Sequence, residues 1–275
     1  MAEQNEQFTD FRILRKTHTG LFEEDRKRFH RFHELFYITE GQCSVLIGRR
    51  IYRLRAGDIA VIPARTLHKT DYVTDGPSTK YVISLTAATA REIDAFLGDT
   101  VTPLCLSAGP VTVPVQRRDA ISLLLERMLY ETGNRSPHAH SVAKACLCEL
   151  LLSILRYRTQ EAEYEGPADE RIERIHRVTA YLYEHLDEDL TLPQLAAVFA
   201  VSPSHLSRTF KQTTGFGVRE YLVNLRIQRA CELLLSTDLS VTEIAGRCGF
   251  GDSNYFGDAF HKAIGVSPRD YRKLG

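Results

Sequence analysis

Short apolar runs separated by turn residues dominate the chain between residues 35 and 85. The runs are rich in β-branched and aromatic side chains, and Gly, Pro or Asp stands in the gaps. Runs of this length and composition are typical of β-strands. Several of them at this spacing predict a small sandwich or barrel. The predicted strands are 36–38, 44–47, 51–54, 58–63 and 80–85.

The apolar period becomes helical further along the chain. Between Asp119 and Tyr130 apolar residues recur every three or four positions, which predicts a helix. A break at 133–137 precedes a second predicted helix at 139–157, and we expect the two to pair antiparallel. The second helix has more apolar positions than one face needs, so we expect it to have a packing partner outside its own chain.

A polar stretch at 158–169 contains a Gly-Pro pair and almost nothing to bury, which is typical of an interdomain linker. The sequence therefore predicts an α+β multidomain protein. Its parts are a β-barrel (1–115), a helical dimerisation segment (116–158), a linker (159–170) and an all-α domain (171–275).

The all-α part contains an internal repeat of two helix-turn-helix units, Leu192–Gly215 and Val241–Leu274. Matched positions differ by 49 before the turn (245 − 196) and by 50 after it (260 − 210), so the second turn is one residue longer. A repeated supersecondary unit indicates one task performed twice. The matched pairs are Ala196 and Ala245, Leu206 and Phe256, Phe210 and Phe260, Gly215 and Gly265, and Tyr221 and Tyr271.

Each unit presents a polar face on its second helix. In the first unit Ser202 is a predicted N-cap, and Leu206 and Phe210 face the core. Short polar and cationic side chains on the opposite face suit base edges and phosphates. The residues predicted to contact DNA in the first unit are Ser204, His205, Ser207, Arg208, Lys211 and Gln212, and Ser253, Asn254 and Tyr255 are predicted to be exposed on the matching helix of the second.

The composition limits how the protein can bind DNA and in which compartment we expect it. Lys and Arg number 35 and so do Asp and Glu, so DNA binding must depend on local placement rather than on bulk charge. The six cysteines form no Cys-x-x-Cys pair. We expect them to be buried, small apolar residues of a protein in a reducing compartment. The polar N-terminus lacks a signal-peptide core, and no run is long enough to span a membrane. We therefore expect a cytoplasmic protein without a membrane partner.

The all-α part resembles the DNA-binding domain of the AraC/XylS family of bacterial transcription regulators. The resemblance rests on the GF-x5-F-x3-F spacing from Gly249 and the G-x-S-P-x-x-Y-R pattern from Gly265. It implies that two reading helices enter successive segments of the major groove, and that the second helix contacts DNA through Ser253, Asn254 and Tyr255. Asp258 is a departure, because relatives commonly carry Arg or Lys there. We therefore expect the first helix to carry most of the specificity.

The N-terminal part resembles the cupin-type sensory domain of such regulators. It keeps His30-x3-Glu34-x6-Gly41, followed by Gly57-Asp58, Pro63 and His68. Metal cupins have a further histidine where this chain has Arg28. Although His30, Glu34 and His68 could form a three-ligand site, we expect no metal and no other cofactor here. The predicted effector-binding residues are Arg28, His30, Glu34, Tyr37, Arg65 and His68, with a carbohydrate as the first candidate.

These features together predict a homodimeric, effector-responsive transcription regulator, an activator rather than an enzyme. Its predicted partners are double-stranded DNA, the effector and RNA polymerase. Two alternatives stay open. One is a metal-dependent cupin enzyme or metal sensor fused to a DNA-binding domain. The other is a DNA-binding protein whose barrel serves only for dimerisation or partner docking.

Overall fold

A computed structural model describes residues 10–19, 22–23, 30–72, 76–98, 101–134, 136–160 and 170–273. All five predicted strands are present; four are longer than predicted, the strand predicted at 58–63 ends at residue 62, and four more strands accompany them. The strands are β1 Phe11–Thr19, β2 Phe22–Glu23, β3 His33–Glu40, β4 Gln42–Ile47, β5 Arg50–Arg55, β6 Asp58–Ile62, β7 His68–Tyr72, β8 Pro77–Leu85 and β9 Gly109–Thr112.

The strands form two sheets that enclose an apolar interior. One sheet has the order β1-β8-β3-β6-β9 and the other β2-β7-β4-β5, and the pairings are antiparallel. Successive side chains of a strand point to opposite faces. On β3, Phe36 and Ile38 therefore face the interior between the sheets, whereas Leu35 and Tyr37 face outward.

Four helices cover the outer face of the larger sheet: α1 Ala87–Leu97, α2 Val101–Cys105, α3 Arg118–Gly133 and α4 Ala139–Gln160. The sequence predicted α3 and α4 but not α1 and α2. The apolar surplus of α4, from which we expected an external partner, is accounted for within the chain. Those side chains are buried against α2, α3 and the sheet within the same chain: Ala143, Cys146, Leu147, Leu150, Leu151 and Ile154.

Seven helices form the C-terminal part: α5 Glu170–Glu184, α6 Leu192–Val198, α7 Pro203–Thr214, α8 Val218–Ser236, α9 Val241–Arg247, α10 Ser253–Ile264 and α11 Pro268–Arg272. The α8 helix joins the two helix-turn-helix units. Most of the predicted linker, residues 161–169, and Leu274 at the end of the second predicted unit lie outside the described residues. Within the described ranges, no helix combines the length and the apolarity of a membrane span.

The internal repeat is confirmed in the packing of its two cores. The Phe210 and Tyr221 rings meet edge-on, with centroids 5.3 Å apart and an interplanar angle of 79°. Their repeat partners Phe260 and Tyr271 meet in the same way, at 5.4 Å and 76°. Edge-on pairs of this kind are favourable beyond the area they bury. The two units therefore share a packing scheme as well as a sequence pattern.

The β4–β5 hairpin of the barrel docks on helix α5 of the C-terminal part. The backbone N–H of Ile51 donates to His176 Nε2 at 2.9 Å. The Thr179 hydroxyl donates to the carbonyl of Arg49 at 2.8 Å. Below these polar contacts, three barrel side chains join the core of the first helix-turn-helix unit: Leu46, Ile51 and Leu67.

Both repeat-related tyrosines also meet the barrel. Tyr221 donates to the carbonyl of Gly48 at 2.9 Å. The Tyr271 ring lies 5.2 Å from the guanidinium carbon of Arg65 and 5.4 Å from that of Arg31. Cations placed over an aromatic face at this distance are attracted by the ring. The barrel thus contacts both helix-turn-helix units.

Substitutions of the repeat-related glycines Gly215 and Gly265 can test the contact between the barrel and the helix-turn-helix units. Both end a reading helix in the left-handed region, with φ of 75° and 84°. An alanine at either position costs about 1–2 kcal/mol of backbone strain. A Cβ on Gly215 would also lie 2.2 Å from the buried Lys69 side chain, whereas a Cβ on Gly265 meets nothing within 4 Å.

We therefore expect Gly215→Ala to lower the calorimetric unfolding temperature more than Gly265→Ala. The extra loss comes from displacing Lys69, whose ammonium pairs with Asp71 at 2.9 Å. Equal shifts for the two variants would contradict the contact between Lys69 and the first reading unit.

Candidate DNA-reading surfaces and effector site

Helix α7 is held by its cap and its core, which leaves one face free for recognition. The Ser202 side chain caps it by accepting from the backbone N–H of His205 at 3.3 Å, and Pro203 occupies the first turn. Leu206 and Phe210 are buried, as predicted. The side chains predicted to read DNA are exposed or half-buried on the other face: Ser204, His205, Ser207, Arg208, Lys211 and Gln212.

Helix α10 has the same construction with a different charge. Asp252 caps it and accepts from the backbone N–H groups of Asn254 and Tyr255 at 2.6 and 3.1 Å. Ser253, Asn254 and Tyr255 are exposed, as is Asp258 one turn further on. Two carboxylates therefore flank the second reading surface, whereas the sequence of α7 contains none. Asp252 therefore increases the charge difference between the exposed faces of α7 and α10 that Asp258 already indicated in the sequence.

Arg226 on α8 fixes the relation between the two units. Its guanidinium donates to the carbonyls of Leu186 and Glu188 at 2.6 and 2.7 Å, in the segment that precedes the first unit. The same group lies 5.8 Å from the ring of Phe250, which belongs to the second unit. Sequence analysis did not single out Arg226, because an arginine that bonds to distant carbonyls leaves no local pattern.

In the barrel, three of the predicted effector residues come together. His30, Glu34 and His68 place their ligand-type atoms within 4.8 Å of one another. His30 Nε2 lies 3.6 Å from a Glu34 carboxylate oxygen. The Nδ1 atoms of the two histidines point away from the cluster, to the carbonyl of Phe32 at 2.7 Å for His30 and to that of Thr66 at 2.9 Å for His68. The cluster therefore has fixed rings and two inward-facing Nε2 atoms.

Nearby His33 has a separate function. Its Nδ1 accepts from the backbone N–H of Ala64 at 3.2 Å, so it braces the loop that leads toward β7. Burial lowers the pKa of His33 to about 4, and the neighbouring His30 and Arg65 side chains lower it further. At neutral pH this imidazole is uncharged and serves as an acceptor.

Other predicted effector residues lie elsewhere. Tyr37 is on the outward face of β3 in the core beneath the helices, so the structure separates it from Glu34. Burial raises the pKa of Tyr37, despite a hydrogen bond with Ser122. Arg65 directs its guanidinium to Tyr271, so it belongs to the contact between barrel and reading units. Arg28 lies outside the described residues.

Apolar side chains pack between the two sheets of the barrel. A small cavity beside Tyr72 and Lys80 measures about 10 Å³, which is room for about one water molecule. The buried Lys80 ammonium lies 4.4 Å from the centroid of the Phe36 ring and 5.3 Å from that of Tyr72. Sequence analysis missed this lysine, because a charged residue in a predicted strand is normally assigned to the solvent face.

Comparison with known proteins places this architecture in a family. The family model of an AraC-like ligand binding domain matches residues 21–151, and that of a helix-turn-helix domain matches residues 195–274. The MmsAB operon regulatory protein of Pseudomonas aeruginosa is 32% identical over 277 residues, covering 93% of this chain and 82% of that protein. The chain belongs to the AraC/XylS family.

One further relative and one solved structure illustrate the range of similarity. The HTH-type transcriptional activator RhaS of Enterobacter sp. (strain 638) is 30% identical over 259 residues, covering 89% of this chain and 86% of RhaS. The solved structure of ToxT from Vibrio cholerae O395 is 12% identical, covers 96% of this chain and 98% of that one, and gives a TM-score of 0.39. As an AraC-family protein, the chain is a DNA-binding transcription regulator controlled by a small effector.

Proposed function

We propose that this AraC-family regulator reads its operator mainly through helix α7, while α10 adds weaker contacts. The observation that carries the proposal is the unequal charge of the two exposed faces. The α7 face combines Arg208 and Lys211 with short polar groups, and α7 has no acid. Asp252 and Asp258 flank the α10 face and would repel phosphate. Two such helices in one chain suit successive major-groove segments of double-stranded DNA, about 34 Å apart.

Regulation is proposed to be activation, because relatives such as RhaS are named transcriptional activators. An activator acts where operator DNA and RNA polymerase meet, so we propose RNA polymerase as a further partner and the cytoplasm as the site of action. Neither proposal requires a catalytic residue in this chain.

The proposed effector site is the polar cluster of His30, Glu34 and His68. Imidazole and carboxylate groups match the hydroxyls of a small polar molecule, and a carbohydrate remains our first candidate. Leu67 and Lys69, which flank His68, reach the first reading unit. Because the two residues that flank His68 contact the first reading unit, occupancy of the effector site can bias the DNA-binding part. This proximity favours a sensory barrel over one that serves only for docking.

We also propose that the protein is a homodimer that associates through the outer face of α3. Leu123 and Tyr130 are 67% and 70% exposed, although both are large and apolar in part. They stand seven residues apart, so they lie on the same helix face two turns from each other. A second copy of this chain would bury them, and it would also tether two DNA-binding parts.

Arg208→Ala is expected to weaken specific DNA binding by about 1–3 kcal/mol if the guanidinium contacts a base. Affinity would be measured on the preferred sequence selected from a random duplex library, at fixed salt concentration. Asn254→Ala should cost less, and Arg91→Ala, which removes an exposed arginine on α1, should change nothing. If Arg208→Ala binds that duplex as tightly as the wild type, α7 is not the main reader.

Leu123→Glu is expected to convert the dimer to a monomer, because it places a charge in the proposed apolar contact while keeping a good helix former. Sedimentation of the full chain measures the association state. Leu104→Glu is the matched control, since Leu104 is a 53% exposed leucine on α2. A wild-type chain that sediments as a monomer would exclude the proposed contact.

A carbohydrate effector should raise the unfolding temperature of the full chain. A ligand at a hundredfold excess over its Kd stabilises the folded state by about 2.7 kcal/mol, which a thermal-shift screen detects. The shift should disappear in Glu34→Gln. Stabilisation by other compound classes, with none from sugars, would discard the carbohydrate assignment and keep the sensory function.

A further inference from the structure

We propose that His30, Glu34 and His68 bind one divalent first-row transition-metal ion. The inference rests on the proposed effector site and names a ligand class for it, independently of how the chain reads DNA. It reverses the expectation that Arg28, at the position of a missing fourth ligand, leaves this chain without a metal. The reasons are the orientation, the burial and the donor chemistry of the three side chains.

Both imidazoles are set in the tautomer that metal binding requires. A backbone carbonyl can only accept a hydrogen bond, so the Nδ1 atoms that approach Phe32 O and Thr66 O must carry the protons. In a neutral ring the Nε2 atom then keeps its lone pair. Metal-binding histidines are held in this way, with the second nitrogen donating to a carbonyl or a carboxylate.

The three donors converge in a buried place. The His68 residue is 1% exposed, Glu34 5%, and the His30 side chain 13%. A carboxylate oxygen and two imidazole nitrogens, each a possible metal ligand, lie within 4.8 Å of one another. Ligand atoms around a four-coordinate zinc ion lie about 3.3 Å apart, given bonds of about 2.0–2.1 Å. The 3.6 Å separation of His30 and Glu34 is close to that value, and small side-chain rotations would bring in His68.

The donor set indicates which ions fit. Two nitrogens and one carboxylate oxygen favour zinc, nickel, iron(II) or cobalt over calcium and magnesium, which prefer all-oxygen sites. Three protein ligands leave coordination positions open. Hydroxyl groups of a polar effector could occupy them, so a metal ion and a carbohydrate are compatible at one site.

The test uses the full chain, stripped of metal by a chelator and titrated with Co²⁺ and then with Zn²⁺. We expect one ion per chain, with the visible absorption of coordinated Co²⁺. Glu34→Gln and His68→Asn should each weaken binding by about 100-fold or more, since even indirect ligand partners contribute 10- to 100-fold. His140→Asn, which alters a histidine whose side chain is 62% exposed, should bind as the wild type does.

A wild-type chain that binds neither ion, or one whose affinity is unchanged by Glu34→Gln, would overturn the proposal. If the variants fail to fold, X-ray absorption of the zinc-loaded wild type decides. Two imidazole nitrogens and oxygen around the metal support the site, whereas sulfur ligands would move the ion to a cysteine and refute it. DNA binding by the metal-free chain is measured in parallel, so that loss of the DNA-reading function is recognised separately.

Discussion

The hydrogen bonds between the β4–β5 hairpin and helix α5 connect the two halves of this regulator. β5 is an edge strand, paired only with β4 among the described strands. Edge strands leave backbone N–H groups without a ladder partner. His176 accepts from one of them, the N–H of Ile51, while Thr179 donates to the carbonyl of Arg49 at the hairpin turn. The interface therefore satisfies backbone groups that the barrel alone would leave to solvent.

Because of the internal repeat, the barrel contacts both helix-turn-helix units through equivalent residues. Tyr221 and Tyr271 occupy equivalent positions, and each packs edge-on against the phenylalanine of its own unit. Each also meets the barrel, one through its hydroxyl and the other through its ring face. Burial raises the pKa of Tyr221, which keeps its hydroxyl protonated as a donor. Because a tyrosine at this position has both an apolar ring and a polar tip, the residue that completes each core can also serve the interface.

Sequence reasoning succeeded where the cause was local. The repeat, the cap at Ser202 and the buried Phe210 and Phe260 follow from spacing and side-chain chemistry within a few residues. It failed where the cause was distant. The apolar surplus of α4 is explained only by the sheet and the helices that surround it, which lie far away in the sequence.

One error could have been avoided from the sequence alone. Side chains three positions apart on a strand point to opposite faces, so Tyr37 could not share a site with Glu34 once both belong to β3. The prediction failed because β3 was expected to begin at residue 36, which left Glu34 in a loop. No such rule exists for Arg49, His176 or Thr179, because nothing in a single sequence tells which helix a hairpin will meet.

The alternation of side-chain directions along a strand also explains how the His68 cluster in the barrel can be coupled to the DNA-binding part. His68 belongs to the buried cluster, while Leu67 packs in the core of the first reading unit and Lys69 lies against Gly215. Three consecutive residues thus serve two sites on opposite faces of one chain segment. The backbone carbonyl of Leu67 is also bonded by the N–H of Gly48 at 2.7 Å, in the hairpin that Tyr221 contacts. Since packed interfaces respond to shifts of a fraction of an ångström, a ligand that repositions His68 acts directly on the contacts that hold the reading units.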